Sequence, residues 1–430
     1  MAECYSSIAL PEMNLSTAMS SWFAAVGGYT GFVGILLVGY IIDAFGRKTT
    51  LLLALVPHII GWSLLYSDYA GFTAILGRSF TGLTTVSMFY PPQLYAVECI
   101  TVNHERLRSI FRAWPGIANS LGFLLTFFAG TFITYQNVAA LAALLSVIIF
   151  VLIFIEIPES PTWLYMKGRY GDAELSERKL GITQPILKTP TDSSNLPATR
   201  IFLLSGSSWR QEAKKLTRPD VYTPVIVMTI VCALIFQTGG TVMTAYMLEI
   251  IGINPSNVSN SKNLAHTYSI VSGFLILIAH ISVSLALPYL GCRKMSLSMS
   301  FFMCIGMLIL GITTVGNSQT DSYGLHVFAV WLVTFSFHFG VISVPVAVMS
   351  DLFPVDAKGF ASIPILTMSL GGAFAAQLYP YLKLFFAGSA YYAYAFGCII
   401  YAAFIFFFMP ETVGRTYEEV KNSLLRSRSQ

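Results

Sequence analysis

Five polar residues interrupt long apolar stretches and have side chains suited to binding an uncharged, hydroxyl-rich ligand. They are Gln237, Thr238 and Thr241, which lie close together, and Asn119 and His338 in two other stretches. Amides, hydroxyls and imidazoles form directional hydrogen bonds without carrying a charge. Because polar groups in hydrocarbon are costly, we expect these side chains to face the interior of a helix bundle. The alternative for each is a polar contact between helices.

A second set of residues is charged and could form ion pairs at the ends of the apolar stretches. Isolated exposed pairs are each worth less than about 1 kcal/mol, so the alternative is that these charges only orient the chain in a membrane. Arg78 differs from them, because it lies inside an apolar stretch, where an arginine needs a partner. The other members of the set are Asp43, Arg47, Lys48, Glu98, Arg108, Glu159, Asp351, Lys358 and Glu411.

The composition indicates which elements must position these residues. Of the 430 residues, 55% are hydrophobic and 11% are charged, and the net charge is +4. Soluble domains carry about 25% charged residues, so a soluble enzyme, a nucleic-acid-binding protein and a disordered scaffold are excluded. The six cysteines include no CxxC pair, which argues against a zinc site or a disulfide framework. The predicted fold is therefore an all-α polytopic membrane protein.

Eleven apolar stretches are long enough to cross a bilayer. If the loop with Arg47 and Lys48 is cytoplasmic, alternation of the spans places 22 of the 25 Lys and Arg residues on the cytoplasmic side. The positive-inside rule then predicts a cytoplasmic C-terminus and an external N-terminus. The predicted spans are residues 21–42, 50–67, 71–97, 113–134, 136–156, 221–250, 265–287, 295–315, 325–350, 359–382 and 388–409.

A long polar loop separates the first five spans from the last six. The halves repeat their loop chemistry, since residues 43–48 resemble 289–294 and residues 158–161 resemble 410–414. Two bundles joined by a linker are typical of transporters built from repeats. The predicted parts are an N-terminal transmembrane bundle of five helices (1–157), a cytoplasmic linker with short amphipathic helices (158–220), a C-terminal bundle of six helices (221–410) and a cytoplasmic tail (411–430).

The motifs in these loops and spans resemble those of the sugar porter family of the major facilitator superfamily. Over almost the whole chain they stand in the family's order, and in detail they are most similar to the insect facilitated trehalose transporter-like branch. The matching residues are Asp43, Gly46, Arg47 and Lys48, Gly77, Arg78 and Gly82, Tyr95 and Glu98, Arg108, 158–164, Pro345, Asp351, Phe353, Pro354, Lys358, Gly359 and 410–416.

The resemblance implies roles for the two sets of residues. Gln237 matches a glutamine of the family's Gln-Gln-x-x-Gly-x-Asn signature, with Thr238 at the second glutamine and Thr241 at the asparagine. Val346 stands where the family has a pore-facing tryptophan, so one stacking surface for a sugar ring is missing. The charged set, by the same resemblance, forms a cytoplasmic ion-pair network that holds the two bundles together in the outward-open state.

Family members have twelve spans, and residues 1–22 match the loop that follows the first one. We therefore expect the sequence to lack the first transmembrane helix. In proton-coupled relatives the partner of Arg78 is an acid on that helix, and no other intramembrane acid of this sequence is placed for proton coupling. Facilitated diffusion is the resulting expectation.

The overall expectation is a multi-pass protein of the cell membrane that moves a neutral sugar, trehalose or a hexose, by alternating access. No cofactor, metal, nucleic acid or obligate protein partner is implied besides the lipid bilayer. Asn257 begins an Asn-Val-Ser sequon in a loop that the charges place outside, which predicts glycosylation. The alternatives are a non-transporting sugar sensor or receptor of the same fold, or an inactive truncated isoform. An intramembrane enzyme would need an Asp–Asp or Ser–His pair within the spans, and the sequence shows none.

Overall fold

The computed structural model describes residues 1–13, 15–67, 71–85, 88, 90–99, 105–182, 214–252, 258–315, 323–349, 352–386, 388–415 and 417–426. Within these ranges the regular structure is helical throughout. The helices of the first part are α1 (Tyr5–Ala9), α2 (Thr17–Phe45), α3 (Arg47–Tyr66), α4 (Phe72–Thr85), α5 (Tyr90–Cys99), α6 (Glu105–Phe132), α7 (Tyr135–Glu156), α8 (Pro161–Met166) and α9 (Tyr170–Lys179).

In the second part of the chain, two of the helical regions are interrupted and are divided into shorter elements. Its elements are α10 (Pro219–Gln237), α11 (Gly240–Ala245), α12 (Met247–Ile251), α13 (Val258–Leu290), α14 (Cys292–Val315), α15 (Tyr323–Ser336), a π-helix (Phe337–Val341), α16 (Ser343–Met349), a 3₁₀-helix (Val355–Ala361), α17 (Ser362–Phe386), α18 (Ser389–Phe408) and α19 (Tyr417–Arg426).

Ten helical segments of the described residues are long and apolar enough to cross a membrane, so the prediction of a polytopic helical membrane protein is confirmed. The span predicted at residues 71–97 contains α4 and α5, and residues 86, 87 and 89 between them fall outside the described residues. Pro91 and Pro92 lie in the first turn of α5. Proline lacks an N–H donor and is tolerated in the first turn of a helix.

The outer surface of the helices is covered by large apolar side chains. Leu152, Phe154, Phe374 and Phe407 are each more than half exposed. Such a surface would aggregate in water, whereas in a bilayer it faces acyl chains and every helical backbone group is hydrogen-bonded within its own segment. The exposed residues therefore mark the lipid-facing side of the bundle.

The helices pack as two groups that meet along two seams. In the first group α3 contacts α2, α4 and α7, and α2 contacts α4. In the second group α14 contacts α15 and α18, while α10 contacts α17 and α18. One seam joins α2 to α17 and the other joins α6 to α13. The contacts between the two groups are concentrated along these seams.

Candidate functional site

The seam between α2 and α17 is held by polar contacts near its middle. The Tyr29 hydroxyl donates to Gln377 Oε1 at 2.5 Å, and the Ser369 hydroxyl donates to the Gly28 carbonyl at 2.8 Å. Gly28 also lets the helices approach closely, because a Cβ at this position would lie 2.8 Å from that of Ala373. The two groups therefore touch directly, without an intervening layer.

Most of the N-terminal segment, residues 1–10, is buried inside the protein. Tyr5, Ile8 and Ala9 are at most 2% exposed, and the Tyr5 hydroxyl donates to the Tyr135 carbonyl at 3.0 Å. The edge of the Tyr5 ring contacts Trp62, with the ring centroids 5.1 Å apart. Residues 1–10 thus belong to the core because their apolar side chains fill a space between several helices.

Arg78 has partners in this segment. It is 4% exposed, and its guanidinium donates to the Phe23 carbonyl at 3.3 Å, the Ser6 hydroxyl at 3.2 Å and the Ala2 carbonyl. The buried arginine is therefore solvated by neutral oxygens, which meets the requirement for partners within the membrane. Its contacts join α4 to both α2 and the N-terminal segment.

Asn119 lies on the face of α6 that turns toward the second group, and its amide donates to Glu3 Oε2 at 3.2 Å. Glu3 is exposed although its neighbours are buried. One turn before Asn119, a Cβ on Gly116 would lie 3.0 Å from the ring of His280 in α13. The helix face that carries Asn119 therefore looks onto the second seam.

His338 lies at the same seam, in the π-helix of the second group. It is 5% exposed, and its ring centroid is 5.8 Å from that of Phe123 in α6 and 5.3 Å from that of His280. Its Nε2 is buried and has no hydrogen-bond partner among the described residues. The structure thus brings His338 and the Asn119 face of α6 together across the seam.

Gln237, Thr238 and Thr241 surround a break between α10 and α11. Gly239 has a φ of 79° there, and a Cβ on it would lie 2.6 Å from the Tyr394 ring, so glycine is required. The Gln237 side chain is exposed at the end of α10. Thr238 is fully buried and its hydroxyl donates to the Ile235 carbonyl at 2.6 Å.

Thr241 is half-buried, with its methyl group facing α17, since a Cβ on Gly372 would lie 3.6 Å from it. Of the three residues at the break, Gln237 is exposed, Thr241 is half-buried and Thr238 is fully buried. No hydrogen bond between described residues joins Gln237, Thr238 or Thr241 to Asn119 or His338. The predicted binding residues therefore form two clusters.

At the end of the molecule that holds the α2–α3 turn, the Arg47–Glu98 pair is deeply buried. Arg47 Nη2 lies 2.6 Å from Glu98 Oε1 and Nε lies 2.8 Å from Oε2, with side chains 1% and 8% exposed. The Ser160 hydroxyl donates to the same carboxylate at 2.5 Å. This bidentate geometry and the added hydrogen bond offset the cost of burying two charges.

Glu159 and Glu411 occupy equivalent positions in the two groups. Glu159 Oε1 accepts from the amides of Arg47 at 2.7 Å and Lys48 at 3.1 Å, at the start of α3. Glu411 accepts from the amides of Cys292 at 2.8 Å and Arg293 at 3.2 Å, at the start of α14. Carboxylates favour this end of a helix because the first amides lack intrahelical partners.

Burial opposes ionisation of Glu411, but the hydrogen bonds from the thiol and amide of Cys292 and the amides of Val413 and Arg293 outweigh it, so the pKa of this carboxyl lies below its usual value. The first amides of α14 are therefore bonded to an ionised group at neutral pH.

The remaining charged residues either make other contacts or lie outside the described residues. Asp43 Oδ2 is buried without a hydrogen-bond partner among the described residues, while its carbonyl accepts from Trp163 Nε1 at 3.2 Å. The Lys48 ammonium donates to the Phe154 carbonyl at 2.9 Å. Asp351, Asn257 and the side chains of Arg108 and Lys358 fall outside the described residues.

No binding role was predicted from the sequence for Glu3, His280 or Phe123. Glu3 was placed in a loop, and His280 was one more polar residue within a span. A signal existed for Phe123, since it lies four residues after Asn119 and therefore on the same helix face. The other two depend on contacts between distant segments, which no local pattern reveals.

The helix arrangement resembles that of solved transporters. A partially occluded inward-open structure of the xylose transporter XylE from E. coli superposes with a TM-score of 0.73 and 18% identity, covering 96% of this chain and 93% of that one. An inward-open structure of XylE gives a TM-score of 0.73 at 17% identity, covering 98% and 94%. The fold is therefore that of a major facilitator superfamily transporter.

The sequence comparisons agree with the fold. The family model described as "Sugar (and other) transporter" matches residues 2–424, and the chain belongs to this family. Relatives include the facilitated trehalose transporter Tret1 of Apis mellifera ligustica, 25% identical over 97% of this chain and 83% of the relative. The putative sugar transporter ERD6-like 13 of Arabidopsis thaliana is 26% identical, over 96% and 83%.

Proposed function

We propose that the protein carries a neutral sugar, trehalose or a hexose, across the cell membrane by alternating access and facilitated diffusion. Family membership supports sugar transport, and the trehalose transporters among the relatives favour a disaccharide as the first candidate. In this proposal the chain consists of an N-terminal bundle (1–157), a cytoplasmic linker (158–220), a C-terminal bundle (221–410) and a cytoplasmic tail (411–430).

One observation carries the proposal: polar groups of both helix groups face each other across a seam. Asn119 stands on α6, and His338 lies against Phe123 of the same helix from the other side. A ligand bound there is held half by each group, so tilting one group against the other changes which side of the membrane it can reach. Gln237 and Thr241 provide further hydrogen-bonding groups in the second group.

The charged residues near the α2–α3 turn have a separate role in this proposal. Arg47, Glu98 and Glu159 brace the N-terminal bundle, and Glu411 braces the C-terminal bundle. The buried Asp43 carboxylate, whose Oδ2 has no hydrogen-bond partner among the described residues, is the group that we assign to pairing between bundles in another conformation. The proposed network extends to Lys48, Arg108, Asp351 and Lys358, and the proposed orientation places it in the cytoplasm.

A non-transporting sugar sensor of the same fold is the second candidate. Two observations favour it: Val346 is 45% exposed where the resemblance leads us to expect a tryptophan, and the Thr238 hydroxyl bonds to its own helix. Both changes remove contacts that would hold a sugar during transport. A sensor would still bind the sugar but would not release it on the other side.

Uptake of radiolabelled trehalose and glucose in oocytes, normalised to surface expression, tests the proposal. Facilitated diffusion predicts saturable uptake that persists when the proton gradient is collapsed. Counterflow in proteoliposomes then separates the candidates, because a carrier exchanges internal sugar for labelled external sugar and a sensor does not. Binding without counterflow would favour the sensor, and loss of uptake on collapse of the proton gradient would exclude facilitated diffusion.

A further inference from the structure

We propose that His280 and His338 together bind one hydroxyl group of the sugar between their imidazole rings and thereby determine which sugars are accepted. The inference rests on the proposed sugar-binding function and specifies its recognition chemistry. It assigns His280 a role in recognition and gives His338 a partner.

The two rings face each other from separate elements of the second group. His280 lies in α13 and His338 in the π-helix, with ring centroids 5.3 Å apart and ring planes inclined by 49°. Phe123 of the first group covers the His338 ring with its centroid 5.8 Å away. The pair is therefore enclosed by both halves of the protein.

The hydrogen bonds of His280 fix which of its nitrogens is free. Its Nδ1 lies 3.0 Å from the Ile276 carbonyl, and a carbonyl only accepts, so Nδ1 carries the hydrogen. In the neutral imidazole Nε2 then holds a lone pair. His280 consequently offers an acceptor toward the seam.

His338 supplies the complementary group. It is 5% exposed, and its Nε2 is buried without a hydrogen-bond partner among the described residues. A buried polar atom without a partner is costly, and in native structures such an atom calls for an explanation. In the tautomer with hydrogen on Nε2, His338 can donate a hydrogen bond, but no described residue accepts it.

A hydroxyl group matches this pair because it donates and accepts at once. It can donate to His280 Nε2 and accept from His338 Nε2, which satisfies both rings. A sugar that lacks the hydroxyl leaves both rings unpaired, and a site built for a hydroxyl rejects such an analogue strongly. A methyl ether keeps only the acceptor and adds bulk.

The backbone at His338 supports a functional role. Residues Phe337–Val341 form a π-helix within an otherwise α-helical span, and such segments are rare and frequently occur at functional sites. On the opposite side of the seam, a Cβ on Gly116 would lie 3.0 Å from the His280 ring. The absence of a side chain at Gly116 lets the His280 ring approach α6 this closely.

His326 provides a matched control in the same span. It is 6% exposed, close to the value for His338. Its Nδ1 lies 2.9 Å from the Thr313 hydroxyl and its Nε2 lies 3.0 Å from the Ile250 carbonyl. Both ring nitrogens of His326 are thus satisfied within the protein, so this histidine has a structural role.

The test measures binding of trehalose and glucose to the purified protein, with competition by the complete sets of their mono-deoxy and mono-O-methyl analogues. For the wild type we expect at least one deoxy position to weaken binding about tenfold or more. H338F and H280F keep an aromatic ring but remove the nitrogens. Each should weaken binding of the parent sugar and reduce discrimination at that single position, because one of the two bonds to the hydroxyl is lost.

H338Q and H280Q retain an amide at these positions and should retain part of the discrimination. H326F should lower thermal stability and leave the discrimination pattern unchanged. If the Phe variants do not fold, the Gln variants carry the same test, since each should reduce discrimination at that one position alone.

Three results would overturn the inference. Unchanged discrimination in folded variants would show that the rings do not contact the sugar. An equal loss at every position would indicate a packing role. If the wild type binds neither sugar, the proposed transport function fails as well, whereas the first two results leave that function intact.

Discussion

The Ser7 hydroxyl accepts a hydrogen bond from the Leu248 amide at 3.0 Å, and both residues are buried. This bond connects the N-terminal segment to α12 of the second helix group. It lies at the end of the molecule opposite the Arg47–Glu98 pair. The proposed orientation places this end, with the Ser7–Leu248 bond, on the external side. The bond therefore links the two helix groups at this end through the N-terminal segment.

Replacing Ser7 by alanine should open this end more often. S7A leaves the buried Leu248 amide without its acceptor, which costs about 1–3 kcal/mol and shifts the population by roughly five- to a hundredfold. The measurement is the rate at which a membrane-impermeant maleimide labels a cysteine introduced at Asn119. S16A is the control, because the Ser16 hydroxyl caps α2 in an exposed position; equal labelling rates in both variants would contradict the prediction.

Breaking the Arg47–Glu98 pair should destabilise the protein strongly. R47A leaves the Glu98 carboxylate, 8% exposed, without its counter-charge, and removing one partner of a buried pair costs about 3–5 kcal/mol. The Arg169–Asp172 pair is a control with both side chains at least half exposed, so R169A should cost less than about 1 kcal/mol. Thermal unfolding in detergent measures both, and comparable effects would count against a structural role for the buried pair.

Gly46 and Gly291 should resist substitution for a common reason. Their φ angles are 94° and 78°, and a Cβ on either would collide with the capping carboxylate of Glu159 or Glu411. We expect G46A and G291A each to cost about 1–3 kcal/mol through strain and loss of the cap. Gly414 has a φ of 73° but nothing within 4 Å of a Cβ, so G414A measures the backbone strain alone. If G414A and G291A lower the free energy of unfolding equally, the collision with the carboxylate is unimportant.

The Glu411 cap should make stability depend on acidity in a defined direction. Because its pKa in the folded protein lies below the ordinary value of 4.5, the ionised carboxylate contributes stability that is present above that pH. This contribution is lost as the pH falls through the lower folded pKa. The difference in thermal midpoint between wild type and E411Q should therefore narrow below pH 4.5, and a difference that stays constant across this range would contradict the prediction.

The sequence predicted the polytopic helical fold because each span is recognisable from its own composition. It also indicated the repeated loops, and the structure shows that Glu159 and Glu411 cap equivalent helices. The burial of residues 1–10 could not be predicted, because it depends on contacts with Arg78 and Trp62, which are distant along the chain. The His280–His338 pair was likewise beyond prediction, since a π-helix changes which residues share a face.

The equivalent caps also bear on how the halves can move. Glu159 fastens a loop to α3 and Glu411 fastens one to α14, and neither bond crosses from one half to the other. In the proposed alternating access each half moves as a unit, and both caps stay intact. The energetic barrier then lies in contacts between the halves such as Tyr29–Gln377 and Ser7–Leu248, so substitutions there should change the rate of the conformational cycle without loosening either half.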